Sequence, residues 1–177
     1  MPPAALTVRR ARAEELDVVS KLLMRAYAEF EEAFSWRDTW ERYVSDVADV
    51  RSRWGRSQLW VADLEGTVVA SVDYYPPGSG GYSYPGVPFP PDWAAFRCLG
   101  TDPDRRGVGL GHALVEHLVA LARSDGATHI ALHSAPLMAT GMRIYRRLGF
   151  ERLPQHDFAP RADSPHRVLA FALALDR

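Results

Sequence analysis

Leu16, Val19, Leu22, Leu23, Ala26, Tyr27 and Phe30 recur at helical spacing, which predicts an amphipathic helix with these residues on one face. A second helix is predicted behind it, with Trp36, Trp40, Tyr43, Val44, Val47 and Trp54 on its buried side. Ahead of both, Leu6 to Arg9 is short and β-compatible. The period then changes. Leu59 to Asp63 and Val68 to Tyr75 are strand-like runs joined by Leu64-Glu65-Gly66-Thr67, the pattern of a hairpin. The stretch 76–93 is rich in proline and glycine and carries Tyr82, Tyr84, Phe89 and Trp93. It can form neither helix interior nor central strand, and its aromatics suggest a lid more than a disordered linker. Ala94 to Leu99 reads as a strand, Thr101 to Asp104 as a turn and Gly109 to Arg123 as a helix closed by Asp125-Gly126. His129 to His133 follows as a strand and Pro136 to Leu148 as a helix opening on proline and stopping at Gly149. Arg167 to Leu175 is the last strand. The order β-α-α-β-β-loop-β-α-β-α-β predicts an α/β fold with a mixed sheet.

Composition narrows the class without adding chemistry. A chain of 177 residues fits one domain, here 1–177. A hydrophobic fraction of 47% and a charged fraction of 24% exclude disorder and low complexity. The net charge of −1 gives no global field toward nucleic acid or an anionic membrane, so neither is expected as a partner. Cys98 is the only cysteine, which rules out an intramolecular disulfide and a thiolate zinc cage, and no metal is expected. The amino terminus lacks a signal-peptide pattern and no segment approaches about 18 consecutive apolar residues, so a cytoplasmic protein is expected.

The chemistry concentrates in Thr101-Asp102-Pro103-Asp104-Arg105-Arg106-Gly107-Val108-Gly109-Leu110-Gly111. A strand ends, the chain turns, and three glycines at alternate positions open a helix. The first N–H groups of a helix have no intrahelical partner, and its dipole adds positive potential there. Glycines keep side chains out of the way of an approaching phosphate. The dinucleotide fingerprint G-x-G-x-x-G fails at His112, and the P-loop pattern is absent. R-x-x-G-x-G does match, as Arg106, Gly109 and Gly111. Together with the preceding strand end at Leu99-Gly100-Thr101, this pattern resembles the GNAT superfamily of acyl-coenzyme A N-acyltransferases. A second block agrees: behind the strand ending at Leu132-His133-Ser134, the next helix carries Tyr145-Arg146-Arg147-Leu148-Gly149-Phe150. The resemblance is good over about Ala94 to Glu151 and extends only to element order before that.

The resemblance implies a GNAT-like fold, a mixed central sheet flanked by helices, in which two strands splay to form the acyl-CoA cleft. It implies acetyl-CoA as co-substrate, with Leu99, Gly100 and Thr101 bonding the acyl carbonyl and pantetheine. The pyrophosphate would rest on Arg106, Gly107, Val108, Gly109, Leu110 and Gly111. Tyr145 would direct its hydroxyl at the thioester sulfur. An amine would then attack directly in a ternary complex. The alternative, a ping-pong acyl-enzyme on Cys98, competes with inert packing of a lone cysteine.

Two departures stand out. The strand Ala94-Ala95-Phe96-Arg97-Cys98-Leu99 lacks the glutamate many members use as base, and Met138 replaces a frequent asparagine. Glu29, Asp73 and His133 are the candidate bases, with His133 favoured by its place near a strand end. Arg143, Arg146 and Arg147 share the Tyr145 helix and read as a solvated face or as a phosphate contact. Glu29, Phe34, Tyr74 and Tyr82, supported by Trp36, Glu31 and Glu32, suggest a pocket for a small primary amine with an apolar body. A protein or peptide amino terminus and a non-catalytic acyl-CoA sensor remain the alternatives. A homodimer through the edge strand at Arg167 to Leu175 is left open.

Overall fold

The computed structural model describes residues 6–34, 36–82, 88–164 and 166–175. The strands are β1 (Leu6–Arg10), β2 (Gln58–Leu64), β3 (Thr67–Tyr75), β4 (Trp93–Thr101), β5 (His129–Ser134), β6 (Glu151–Arg152) and β7 (Leu169–Ala174), and the helices are α1 (Leu16–Tyr27), α2 (Arg37–Ala48), α3 (Val50–Arg53), α4 (Leu110–Ser124) and α5 (Ala139–Arg147). The sheet order is β1-β2-β3-β4-β5-β7-β6. This is the expected mixed α/β sheet: β4 and β5 run parallel, whereas β1–β2, β5–β7 and β6–β7 are antiparallel. No helix of the described residues is long and apolar enough to cross a membrane. Two compact units are distinguished, one comprising residues up to Asp73 together with Cys98–His117, the other Tyr74–Arg97 with the chain from Leu118 onward.

In the first unit α1 buries Leu16, Val19, Leu22, Leu23, Ala26 and Tyr27, the face its spacing predicts. The predicted second helix is two helices. Asp49 leaves helical geometry at φ −78°, ψ 62°, and its carboxylate accepts the Ser52 N–H at 3.1 Å, so it restarts the chain as an N-cap. Trp54, expected on the buried side, is consequently exposed. Arg53 closes the break. Its guanidinium donates to the carbonyls of Asp46, Val47 (2.8 Å) and Asp49 (3.2 Å), at and just past the carboxyl end of α2. The same group meets Asp73 of β3 at 2.8 Å, and Asp73 also accepts the Ser57 hydroxyl at 2.6 Å. Asp73 is 1% exposed. Its carboxylate is consumed by this buried pair, which removes it from the candidate bases.

The second unit is built on β5, which pairs with β7 over its full length, His129↔Ala174 to Ser134↔Leu169. Its register with β4 covers only Trp93↔His129, Ala94↔Ile130 and Ala95↔Ala131. Trp93 therefore opens β4 rather than ending the preceding loop. That loop is stapled at its ends, the Gly78 N–H donating to the Pro91 carbonyl at 2.6 Å; Tyr84 lies outside the described residues. β6 is two residues long, too short to leave a sequence pattern. α5 begins at Ala139, after a turn that carries Pro136 and closes with Met138 N–H on the Ala135 carbonyl at 2.9 Å.

Removing one member of a buried ion pair leaves the other charge without compensation. Asp73→Ala is expected to cost about 3–5 kcal/mol in urea unfolding; a loss below about 1 kcal/mol would show that the pair is not structural.

Candidate active site

The glycine turn belongs to the first unit. At the end of β4 the Asp102 N–H donates to the Val69 carbonyl at 2.8 Å, and the Asp102 carboxylate caps the Asp104 N–H at 3.0 Å, opening a single 3-10 turn over Pro103–Arg105. Gly107 and Gly109 then adopt φ +83° and +82°, left-handed values that a Cβ would strain. The first backbone bond of α4 runs from the Ala113 N–H to the Gly109 carbonyl at 2.9 Å. The amides from Leu110 to His112 thus open the helix ahead of its ladder, where the helix dipole is positive. Val108, 67% exposed, stands on the turn without an apolar neighbour to cover it.

Two of the arginines near the turn, Arg106 and Arg25, are engaged by acids, while Arg105 on the turn is exposed. Arg106 donates to Glu29 at 2.7 Å and to the Ala26 carbonyl at 3.2 Å. Arg25 reaches Asp102 at 3.1 Å and Asp104 at 2.8 Å. Glu29, expected to meet an amine, instead holds the arginine of the R-x-x-G-x-G pattern. With the Arg106 charge compensated, the positive features of the turn are its backbone amides and the exposed Arg105.

Within β4, a Cβ on Gly100 would stand 2.6 Å from Leu23 Cδ2 and 3.4 Å from Ala26 Cβ. Gly100 is there because α1 lies too close for any side chain. Leu99 accepts the Tyr27 hydroxyl on its carbonyl at 3.1 Å. Buried Cys98 has φ +54°, a left-handed value rare for residues with a side chain. The strand therefore turns its peptide planes at Cys98, just past the end of its register with β5.

In the second unit, Tyr145 is buried against Phe96, Phe150 and Phe171, with ring centroids at 5.8, 5.9 and 6.4 Å. Its hydroxyl lies one helical turn back, over Gly141, where a Cβ would approach the oxygen to 3.3 Å. Burial raises the phenol well above its ordinary value. It stays protonated at any physiological pH and is a donor.

His133 sits in the same unit among aromatic rings. Phe89 stacks on it at 4.8 Å and Phe158 meets it edge-on at 5.2 Å. Its Nε2 is 2.9 Å from the His156 carbonyl and its Nδ1 is 2.9 Å from the Tyr82 hydroxyl. Burial pushes the imidazole below its ordinary value. Tyr82, expected at the acceptor, and His133, expected as a base, are thus brought together.

Two other residues expected at the acceptor have partners of their own. Tyr74 is fully buried and donates its hydroxyl to Asp125 at 2.8 Å, behind the end of α4. It is a core residue with its hydroxyl already paired. Phe34 packs on Trp40 and Tyr43 at 5.0 and 5.6 Å, an aromatic cluster of the first unit. Sequence reasoning missed His156, Gly141 and the turn at Cys98. A glycine four residues before Tyr145 was the one available signal; the other two arise from tertiary folding.

Comparison with known proteins agrees with this geometry. The family model described as acetyltransferase (GNAT) family matches residues 20–150. N-acetyltransferase 8B of Homo sapiens is 27% identical over 137 residues, covering 71% of this chain and 56% of the relative. The chain thus spans about half the length of the curated relatives it matches. PaiA N-acetyltransferase from Thermoplasma acidophilum, solved in complex with coenzyme A, superposes with a TM-score of 0.70 at 10% identity, over 94% of this chain and 98% of that one. The ribosomal-protein-S18-alanine N-acetyltransferase from Escherichia coli gives a TM-score of 0.66 at 20% identity, over 98% and 96%. A family match that begins in α1, takes in the glycine turn and ends beyond Tyr145 makes this chain a member of the GNAT acetyltransferase family.

Proposed function

We propose that the chain, acting as one catalytic domain, transfers the acetyl group of acetyl-CoA to the primary amine of a small molecule. The observation that carries this is the turn at Gly107 and Gly109, whose left-handed backbone leaves the amides before Ala113 open to a pyrophosphate. Arg106, Gly107, Val108, Gly109, Leu110 and Gly111 form that cradle in this reading. Leu99, Gly100 and Thr101 border the pantetheine and acyl carbonyl with backbone groups. The amide at Leu99 stabilises the oxyanion that develops as nitrogen attacks the carbonyl carbon, a contribution of about 3–4 kcal/mol in comparable sites.

Tyr145 is assigned to the leaving group: as the C–S bond breaks, its hydroxyl donates a hydrogen bond to sulfur, and burial keeps the phenol protonated. His133 provides the base that the strand before the turn does not carry. The small-amine reading is supported by the apolar rings of Phe89, Phe158 and Tyr82 around that imidazole. A cytoplasmic location fits the same reading.

Acetyl-CoA at about 100 times its dissociation constant should stabilise the protein by about 2.7 kcal/mol, roughly 5–10 °C in Tm, while NAD and ATP should not. Thiol release should then follow addition of a primary amine. Absence of any shift with acetyl-CoA in folded protein would overturn the reading. Gly141→Ala should push the Tyr145 hydroxyl aside and lower kcat about tenfold with the acetyl-CoA shift retained. An unchanged kcat would remove Tyr145 from the sulfur.

A further inference from the structure

We propose that Tyr82 and His133 form a proton relay for the acceptor, in which the Tyr82 hydroxyl meets the reacting nitrogen and His133 takes the proton through it. The inference rests on the acetyl-transfer reading above and assigns the base within it. His133 Nε2 faces the His156 carbonyl at 2.9 Å. A carbonyl oxygen only accepts, so Nε2 carries the hydrogen. In the neutral ring Nδ1 is then the bare nitrogen, and the Tyr82 hydroxyl at 2.9 Å donates to it. A hydroxyl, an imidazole within hydrogen-bond reach and a third group fixing the tautomer are the components of an activated side-chain oxygen. Here the third group is a backbone carbonyl and the oxygen is a phenol.

The surroundings suit the task. The imidazole plane lies 16° from those of Tyr82 and Phe89, and Phe158 closes its edge at 5.2 Å. These rings and the bond to the His156 carbonyl fix the imidazole's orientation. The titratable groups that face it include Tyr82 from the loop, and His156 and Asp157 from the turn Pro154–His156 and its end; Asp157 is held by Arg152 at 2.8 Å. His133 is the penultimate residue of β5, two positions beyond the last residue in register with β4. Tyr82 reaches it from the proline- and glycine-rich loop, whose ends are stapled by the Gly78–Pro91 bond and whose Tyr75–Tyr82 contact is edge-on at 5.4 Å. Tyr82 thus brings a functional group from the loop to the imidazole.

The protons balance as follows. Attack forms the C–N bond and leaves a positively charged nitrogen. One N–H proton passes to the Tyr82 oxygen as the Tyr82 proton passes to His133 Nδ1. The resulting imidazolium donates from both nitrogens, to Tyr82 and to the His156 carbonyl. The C–S bond breaks as the Tyr145 hydroxyl hydrogen-bonds the departing sulfur; the thiolate takes a proton from solvent and His133 gives its proton to solvent.

The test compares the wild-type chain with Tyr82→Phe, which keeps the ring and its stacking. Thiol release is measured with 2-phenylethylamine, spermidine and an alanine-terminated hexapeptide, from pH 5 to 9, beside the acetyl-CoA thermal shift. The wild type should lose kcat/KM on the acid side, below the ordinary histidine value of 6.5, because burial holds the imidazole neutral down to lower pH. Tyr82→Phe should lower kcat about 100-fold, abolish that acid limb and leave the acetyl-CoA shift intact. Wild-type kcat with the acid limb retained would overturn the relay and leave Tyr82 as packing. A wild type that acetyl-CoA stabilises but that acetylates none of the three amines would also overturn it. A wild type that acetyl-CoA does not stabilise would overturn the acetyl-transfer reading itself.

Discussion

The chain must leave β4 and enter α4 without spending the first amides of the helix on a side chain or on the strand. Asp102 starts this by bonding the Val69 carbonyl through its N–H and capping the following 3-10 turn through its carboxylate. Two left-handed glycines complete it. With a Cβ at either position the backbone would relax toward negative φ, and the amides would rotate away from a common centre. Everything proposed for coenzyme binding depends on that conformation. Glu29 compensates Arg106, so in the proposed reading the backbone geometry of the turn, with exposed Arg105 beside it, carries the contact to the pyrophosphate.

Close approach explains the neighbouring glycines as well. Gly100 is imposed by Leu23 and Ala26 of α1, and Gly141 by the Tyr145 hydroxyl. One is a packing requirement of the first unit, and the other lies in the second against the side chain proposed to meet sulfur. Cys98 differs from both, since it bears a side chain at φ +54° and still fits the interior. Its positive φ lies in the strand that borders the acyl group in the proposed reading, where strained backbone is characteristically found.

Much of this was legible in the residues. Period and glycine placement gave α1, α4, α5 and the strand that precedes each site motif, because local backbone preference and one-sided burial decide them. Gly107 and Gly109 were readable from their spacing, whereas Tyr145 stood out only through the resemblance to the GNAT family. What the sequence could not carry is pairing across the chain. Arg53 meets Asp73 across 20 positions, Arg106 meets Glu29 across 77, and Tyr82 meets His133 across 51. A charge or a hydroxyl in isolation does not announce which partner it will find. Asp73 and Tyr74 were misjudged for that reason: each looks like a functional polar group until Arg53 and Asp125 are placed beside it.

The most direct test of the account is a backbone amide titration by NMR with coenzyme A. If the glycine turn is the anion site, the largest shift changes should fall on the amides of Gly107 to Gly111 and saturate together. Changes confined to arginine side chains or to the exposed face of α5, with those amides unmoved, would contradict it.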